Sequence, residues 1–198
     1  MALKTSGAPP GVREKILEAA DELFSREELH RVSIGAIVAR AGCARASVYN
    51  IFGSKDGLIE AYLKRRAELR TGVVLENEII DRADNADGRL LAIFDVLDDW
   101  FNGDGIQRRT LVELLLDTEP ETFIHNAITA QLATVRKMIS RYAEEAGLDD
   151  VDEFAKIWHI LMKGAIVARK EGDLTAARAA ARGAKVILDG WQTAPSIT

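Results

Sequence analysis

Two short helical patterns separated by a glycine, within Ser33–Leu58, constrain the fold of this chain more than any other stretch. In Ser33–Ala41 the apolar residues recur at positions i, i+3, i+4 and i+7, which predicts a helix with one buried face and Ser33 as its cap. Gly42 then provides the backbone freedom that a tight turn between two helices needs. We predict a second helix at about Ala44–Ile51. Together these features are typical of a helix-turn-helix unit.

The second helix presents side chains that suit DNA recognition. Its inner face is predicted to hold Ala44, Val48 and Phe52, and its outer face Arg45, Ala46, Tyr49 and Asn50. An arginine can bind guanine edges, an asparagine can bind adenine edges, and a tyrosine hydroxyl can bind a phosphate. After Gly53, Ser54 caps the next helix and places Lys55 near its first backbone amides. The candidate DNA-binding residues are Ser33, Arg45, Ala46, Ser47, Tyr49, Asn50 and Lys55.

The segment AGCARASVYNIFGSKDGLIEAYL resembles the most characteristic stretch of the TetR-type (tetracycline-repressor) transcriptional regulators. The shared pattern is alanine-glycine, a helix with a tyrosine, a phenylalanine after it, and then Ser-Lys-acidic-x-Leu. The resemblance covers roughly residues 12–63 and implies a homodimeric, all-α, ligand-controlled protein that binds a double-stranded DNA operator. One departure is Ala44, where the family usually has Ser or Thr as the helix cap. The cap must then come from another group or from water.

The charge distribution favours one DNA-facing end. The whole chain carries a net charge of −5, but residues 1–70 carry +3 and the remainder −8. We predict a disordered arm at 1–11, a helix-turn-helix domain at 12–54, and a ligand-binding and dimerisation domain at 55–198. The first helix is predicted at Val12–Glu28, and a long helix is predicted to start at Lys55. Its basic run Lys64–Arg66 could reach DNA, although a solvated helix face is the commoner meaning of such a run.

The last two predicted helices indicate a homodimer. The segment Phe154–Arg169 is apolar on nearly every side, which predicts burial on more than one side. The following helix, at about Leu174–Trp191, is rich in alanine and permits close backbone approach. Two such helices from each protomer can form a four-helix seam around a two-fold axis. We therefore predict a homodimer held mainly by Val151–Trp191.

Aromatic, methionine and histidine side chains of the C-terminal part are candidates to line a pocket for a small apolar effector. They are Phe94, Trp100, Phe101, Leu115, Phe123, His125, Trp158, His159 and Met162. Each alone also fits an ordinary core position, but the few polar groups among and near them (His125, Asn126, Gln131, His159) suit an apolar ligand. A cavity between the helices of 90–165 would favour a ligand sensor. A filled core would favour a ligand-independent DNA-binding module or a protein-interaction module on the same fold.

Other classes of protein fit the sequence poorly. The three histidines are scattered, and no HExxH, GxSxG, phosphate-cradling glycine loop or nucleotide fingerprint occurs, so we predict no catalytic residues, metal or cofactor. Cys43, the single cysteine, is either a redox switch or a small apolar residue, and the second interpretation is favoured. No apolar run has the length of a membrane span and no secretion signal is apparent. We expect a cytoplasmic protein with no membrane partner.

Overall fold

The computed structural model describes residues 11–103 and 110–193. These residues form ten α-helices and one π-helical segment, and contain no β-strand, so the all-α fold class is confirmed. The helices are α1 (Val12–Phe24), α2 (Ile34–Ala41), α3 (Arg45–Phe52), α4 (Lys55–Ala67), α5 (Glu76–Arg82), α6 (Ala86–Asn102), α7 (Leu111–Leu116), α8 (Phe123–Glu145), α9 (Val151–Lys170) and α10 (Ala176–Thr193), with the π-helical segment Glu68–Leu75 between α4 and α5. The predicted arm falls on residues 1–10, outside the described residues, and on Gly11, which precedes α1.

Helices α1 to α3 pack around the first half of α4. Each contributes fully buried apolar side chains, such as Phe24, Ile37 and Val48, and the Phe24 ring lies 5.0 Å from the Tyr62 ring of α4. Helix α1 ends at Phe24, four residues before the predicted end, because the chain turns there to bury Leu29 and Val32. The N-terminal unit therefore has an apolar core that continues into α4.

The long helix predicted from Lys55 runs to Arg82 but changes its hydrogen-bond pattern at Glu68–Leu75. Leu69, in this segment, is 48% exposed and borders two open clefts beside α1. A short loop separates α5 from α6, and Asn85 caps α6 by accepting a hydrogen bond from the Gly88 backbone N–H at 2.7 Å.

The C-terminal part is a bundle of α6, α8, α9 and α10 with the short α7 at one end. Trp158 is fully buried at its centre, with the Phe94 ring at 5.5 Å and the Phe154 ring at 5.0 Å. Pro120 lies in the turn before α8, and Thr122 caps that helix. The Phe94–Trp158 contact thus joins α6 to α9.

Helices α9 and α10 each bury one face, and each leaves one large apolar side chain exposed on the other. On the outer side Ile160 is 57% exposed and Val186 is 73% exposed. The sequence predicts that α9 is apolar and buried on more than one side. Within one protomer, Trp158 and Ile166 face the core, whereas Ile160 is exposed. Among the described helices, none combines the length and the hydropathy needed to cross a membrane.

Candidate nucleic-acid interface and ligand cavity

The turn between α2 and α3 is built on backbone geometry that glycine favours. Gly42 has φ of 63°, and the backbone N–H of Cys43 donates to the Val38 carbonyl at 3.2 Å. Ala44 occupies the N-cap of α3 with no side-chain cap bond, in agreement with the departure seen in the sequence. It was predicted to point inward but is exposed, because an extended N-cap residue precedes the first helical turn. Val48 alone is fully buried and anchors α3.

The outer face of α3 carries the candidate DNA-reading side chains together. Arg45, Ala46, Tyr49 and Asn50 are all exposed, and Ser47 is half-buried. The Arg45 guanidinium lies over the Tyr49 ring, 6.0 Å from its centroid, which aligns the cation with one side of the helix. Arg45 makes no ion pair within the described residues, so its charge is available to a partner. The face combines a cation, an amide and a phenol on two successive turns.

Two candidate phosphate-binding residues also have structural contacts. The Ser33 hydroxyl accepts a hydrogen bond from the Ala36 backbone N–H at 3.1 Å and caps α2. The Lys55 ammonium donates to the His30 carbonyl at 2.7 Å and ties the start of α4 to the turn after α1. Both residues remain predicted DNA contacts.

Three contacts that the sequence analysis missed brace the interface. The Arg13 guanidinium lies 5.8 Å from the Phe52 ring centroid, and Arg40 pairs with Glu22 at 2.6 Å. Gly57, in the first turn of α4, packs directly against the backbone of α3. Only Gly57 has a signal in sequence, since a glycine inside a helix often marks a close approach. The first contact joins α1 to the end of α3, the second joins α1 to α2, and the third joins α3 to α4.

A cavity of about 80 Å³ lies between the helices of the C-terminal bundle. Its lining is Arg66, Leu75, Leu97, Trp100, Phe101, Thr110, Leu111, Val112, Leu132, Val135, His159, Met162, Lys163 and Ile166. Four of the nine candidate ligand residues are therefore brought together here, namely Trp100, Phe101, His159 and Met162.

The other five candidates lie elsewhere. Phe94 and Trp158 form the aromatic centre of the bundle, and Leu115 is half-buried on α7. Phe123 is 44% exposed, and a ring nitrogen of His125 lies 3.2 Å from the Thr118 hydroxyl. Helical periodicity identifies which residues face inward but not which of them leave space between their side chains. The sequence therefore could not distinguish these five residues from the four that line the cavity.

The basic groups of the cavity are the predicted His159 and two residues that the sequence analysis did not assign to it, Arg66 and Lys163. His159 is 5% exposed, and burial, reinforced by the charges of Lys163 and Arg136, lowers its pKa to about 4. The imidazole is therefore neutral at pH 7. Arg66 is 7% exposed and donates a hydrogen bond to the Tyr62 hydroxyl. In the predicted basic run, only Lys64 is exposed, because Arg65 pairs with Glu14 and Arg66 turns inward.

A short exposed helix that follows a tight turn after another short helix is the arrangement of helix-turn-helix DNA-binding proteins. Residues 16–62 match the family described as bacterial regulatory proteins, tetR family. An uncharacterised HTH-type transcriptional regulator of Mycobacterium tuberculosis is 32% identical over 80 residues, a match that covers 40% of this chain and 39% of that relative. The matched part thus spans about two-fifths of the relative's length.

Solved structures extend the likeness of fold to nearly the whole chain. SCO4454, a TetR-family regulator of Streptomyces coelicolor, superposes with a TM-score of 0.73 at 22% identity, covering 91% of this chain and 95% of that one. CifR bound to a 26-bp double-strand operator has a TM-score of 0.67 at 20% identity, covering 93% and 100%. FadR of Bacillus subtilis in complex with stearoyl-CoA has a TM-score of 0.67 at 15% identity, covering 89% and 97%. Residues 16–62 are thus similar in sequence to the tetR family of bacterial regulatory proteins, and nearly the whole chain shares the fold of TetR-family structures.

Proposed function

We propose that the chain is a sequence-specific DNA-binding regulator controlled by a ligand, and most simply a repressor that a small, largely apolar molecule releases from its operator. The observation that carries the proposal is one continuous helical run, Lys55–Arg82, which starts at the turn after the recognition helix α3 and contributes Arg66 and Leu75 to the cavity. A change of the cavity that tilts this run also moves α3. Its DNA target makes the cytoplasm the expected compartment.

The exposed face of α3 supports binding in the major groove. Arg45 and Asn50 are proposed to contact base edges, with Tyr49, Ser33 and Lys55 toward phosphates. CifR, which has the same fold, is known in complex with operator DNA. A two-fold dimer presents two copies of α3, so the operator is expected to be a near-palindrome with half-sites one helical turn, or a multiple of it, apart.

The outer face of α9 and α10 supports the homodimer. Ile160 and Val186 are large apolar side chains that one protomer leaves exposed on neighbouring helices. Burying them against a second copy recovers about 25 cal/mol for each Å² of apolar area. This face lies within Val151–Trp191, the segment that the sequence analysis assigned to the seam.

Coupling between cavity and DNA requires only that the ligand prefers one spacing of the two α3 helices. A preference of about 1.4–3 kcal/mol changes DNA affinity by about ten- to over a hundredfold, and DNA must weaken ligand binding reciprocally. The cavity of about 80 Å³ is smaller than the roughly 300–1,000 Å³ of ordinary ligand sites. A ligand must therefore separate the lining helices, which supplies the structural change. The same small volume favours the alternative, a ligand-independent DNA-binding or protein-interaction module.

Selection from random double-stranded DNA tests the proposal. The purified protein is expected to enrich a near-palindrome, and Arg45→Ala is expected to lose about 1–3 kcal/mol of operator binding with relaxed sequence preference. Arg136→Ala, an exposed arginine of α8, is the control and should leave binding unchanged. Failure to enrich any sequence, or an Arg45→Ala variant with unchanged preference, would contradict the proposed DNA-binding face.

A further inference from the structure

The lining of the cavity has a one-sided charge. Arg66, His159 and Lys163 are its basic members, and no Asp or Glu of the described residues is among the lining side chains. The rest of the lining is apolar apart from Thr110 and the indole N–H of Trp100. A purely apolar ligand would leave these basic groups without a partner of opposite charge.

Arg66 and Lys163 have no counter-ion among the residues that the structure describes. Arg66 has five N–H donors and, within those residues, makes one hydrogen bond, to the Tyr62 hydroxyl. Neither Arg66 nor Lys163 forms an ion pair with a carboxylate of residues 11–103 or 110–193. Arg66 also borders an open cleft that contains Glu18, Asp21 and Glu22, where water screens those charges. Holding a guanidinium at 7% exposure without a paired charge is unfavourable, and an anion in the cavity would remove that cost.

His159 adds a neutral donor to the same wall. It is 95% buried, since its exposure is 5%, it lines the cavity, and it makes no hydrogen bond within the described residues. A neutral imidazole carries one N–H, which can donate to a carboxylate oxygen. Lys163 follows four residues later on α9 and therefore lies on the same face of the helix.

We infer that the effector is an apolar organic acid, whose single carboxylate binds Arg66, His159 and Lys163 while its hydrocarbon part packs among Leu97, Trp100 and Met162. The inference rests on the proposed function, because it takes the cavity to be the effector site. It replaces an effector defined only by apolar character with one defined by charge and shape. Charge-assisted hydrogen bonds to Arg and Lys give such a carboxylate its affinity and its orientation.

Binding of a carboxylate to Arg66 would also affect a contact between the cavity and the DNA-binding unit. A carboxylate that binds Arg66 competes with the Tyr62 hydroxyl for the guanidinium. The Tyr62 ring packs against Phe24 of α1, with 5.0 Å between the ring centroids. The arginine that binds the ligand therefore also bonds a side chain in the core of the DNA-binding unit.

Titration calorimetry on the full chain tests the charge of the ligand directly. Octanoate is compared with octanamide, a neutral molecule of the same shape, and with octylamine, a cation of the same length. Octanoate is expected to bind at least about tenfold more tightly than octanamide, and octylamine is expected not to bind. Hexanoate and decanoate extend the series in case the hydrocarbon part is of the wrong length.

Matched variants locate the carboxylate. Arg66→Gln and Lys163→Gln are each expected to weaken octanoate binding about tenfold or more and to leave octanamide binding unchanged. Lys156→Gln, on the same helix but exposed and outside the cavity, is the control and should bind octanoate as the wild type does. Because Arg66→Gln also removes the bond to Tyr62, thermal melting checks its fold, and Lys163→Gln carries the test if it unfolds.

The outcomes separate this inference from the proposed function. Octanamide or octylamine binding as tightly as octanoate, acids of all three lengths failing to bind, or octanoate binding that survives Lys163→Gln would each overturn the anionic ligand. If a neutral or cationic molecule instead binds and releases the selected operator, the ligand-controlled regulator stands and only its effector class is wrong. If octanoate binds as expected but operator affinity does not change, the effector class stands and the coupling is wrong.

Discussion

Replacing Gly57 by alanine is expected to separate the recognition helix from the helix that supports it. A Cβ atom at Gly57 would lie closer than 3.0 Å to the carbonyl oxygen of Phe52 and 3.3 Å from its carbonyl carbon. Phe52 is the last residue of α3, and Gly57 is the third residue of α4. Since the obstructing atoms belong to the backbone, no side-chain rotamer relieves the overlap. The end of α3 or the start of α4 must move by about 1 Å.

Opposing effects determine how much Gly57→Ala changes the free energy of unfolding. Alanine is favoured over glycine in a helix by about 0.5–1 kcal/mol, whereas forced overpacking costs about 1–3 kcal/mol. The shift also strains the Ser54 cap, which accepts a hydrogen bond from the Gly57 backbone N–H at 3.0 Å and is itself worth about 1 kcal/mol. A net loss of about 1–2 kcal/mol in the free energy of unfolding follows. Operator affinity should fall too, because a displaced α3 loses its base contacts.

Urea unfolding followed by circular dichroism measures the first effect, and fluorescence anisotropy with the selected operator measures the second. Gly35→Ala is the matched control in the same domain, since a Cβ there meets only the Ser33 hydroxyl oxygen, at 3.6 Å. It is expected to unfold at the same or a slightly higher urea concentration than the wild type. A Gly57→Ala protein as stable as Gly35→Ala, with wild-type operator affinity, would refute the argument from backbone contact.

Three further predictions concern other parts of the molecule. Lys55→Ala should weaken binding to all DNA sequences similarly and reduce the slope of log affinity against log salt by about one, as measured by anisotropy across a salt series. The pKa of His159 in the folded protein, about 4, lies below its ordinary 6.5. The free energy of unfolding is therefore highest above pH 6.5 and falls as the pH drops toward 4, because the unfolded chain takes up the proton first. His159→Phe should remove up to about 3 kcal/mol of this pH dependence in unfolding experiments at pH 4–7. Val186→Arg should give monomers by sedimentation with protomer stability within about 0.5 kcal/mol of wild type, whereas Leu188→Arg, at a position 2% exposed, should unfold the protomer.

Local signals in the sequence were sufficient to predict the N-terminal unit. Ser33 caps α2, Gly42 adopts the positive φ of the turn, and Val48 is the buried anchor of α3. Each depends on neighbours within a few residues, which a sequence pattern reports directly. The end of α1 was missed because burial of Leu29 and Val32 is a tertiary effect that overrides helix periodicity.

The cavity was predictable only in part, because its walls come from segments far apart in the chain. Met162 and Trp100 were found as apolar residues on helical faces. Arg66 was assigned to a surface run, since nothing local shows that α8 and α9 leave space beside it. Arginine is rarely buried without a paired charge, so composition argues against such a position. Sequence patterns therefore disfavour a buried position for Arg66, the residue on which the proposed ligand charge mainly rests.

The π-helical segment Glu68–Leu75 sets the angular phase between the two halves of the long helix. Leu75 follows Arg66 by nine residues, and at about 100° per residue an α-helix would place them on opposite sides. Both nevertheless line the same cavity. Hydrogen bonds from i to i+5 hold about one more residue in each turn, which over this segment turns Leu75 back by about a third of a revolution. A change from i+5 to i+4 bonding would rotate α5 about its own axis without breaking the helix, so the run can transmit a twist as well as a tilt.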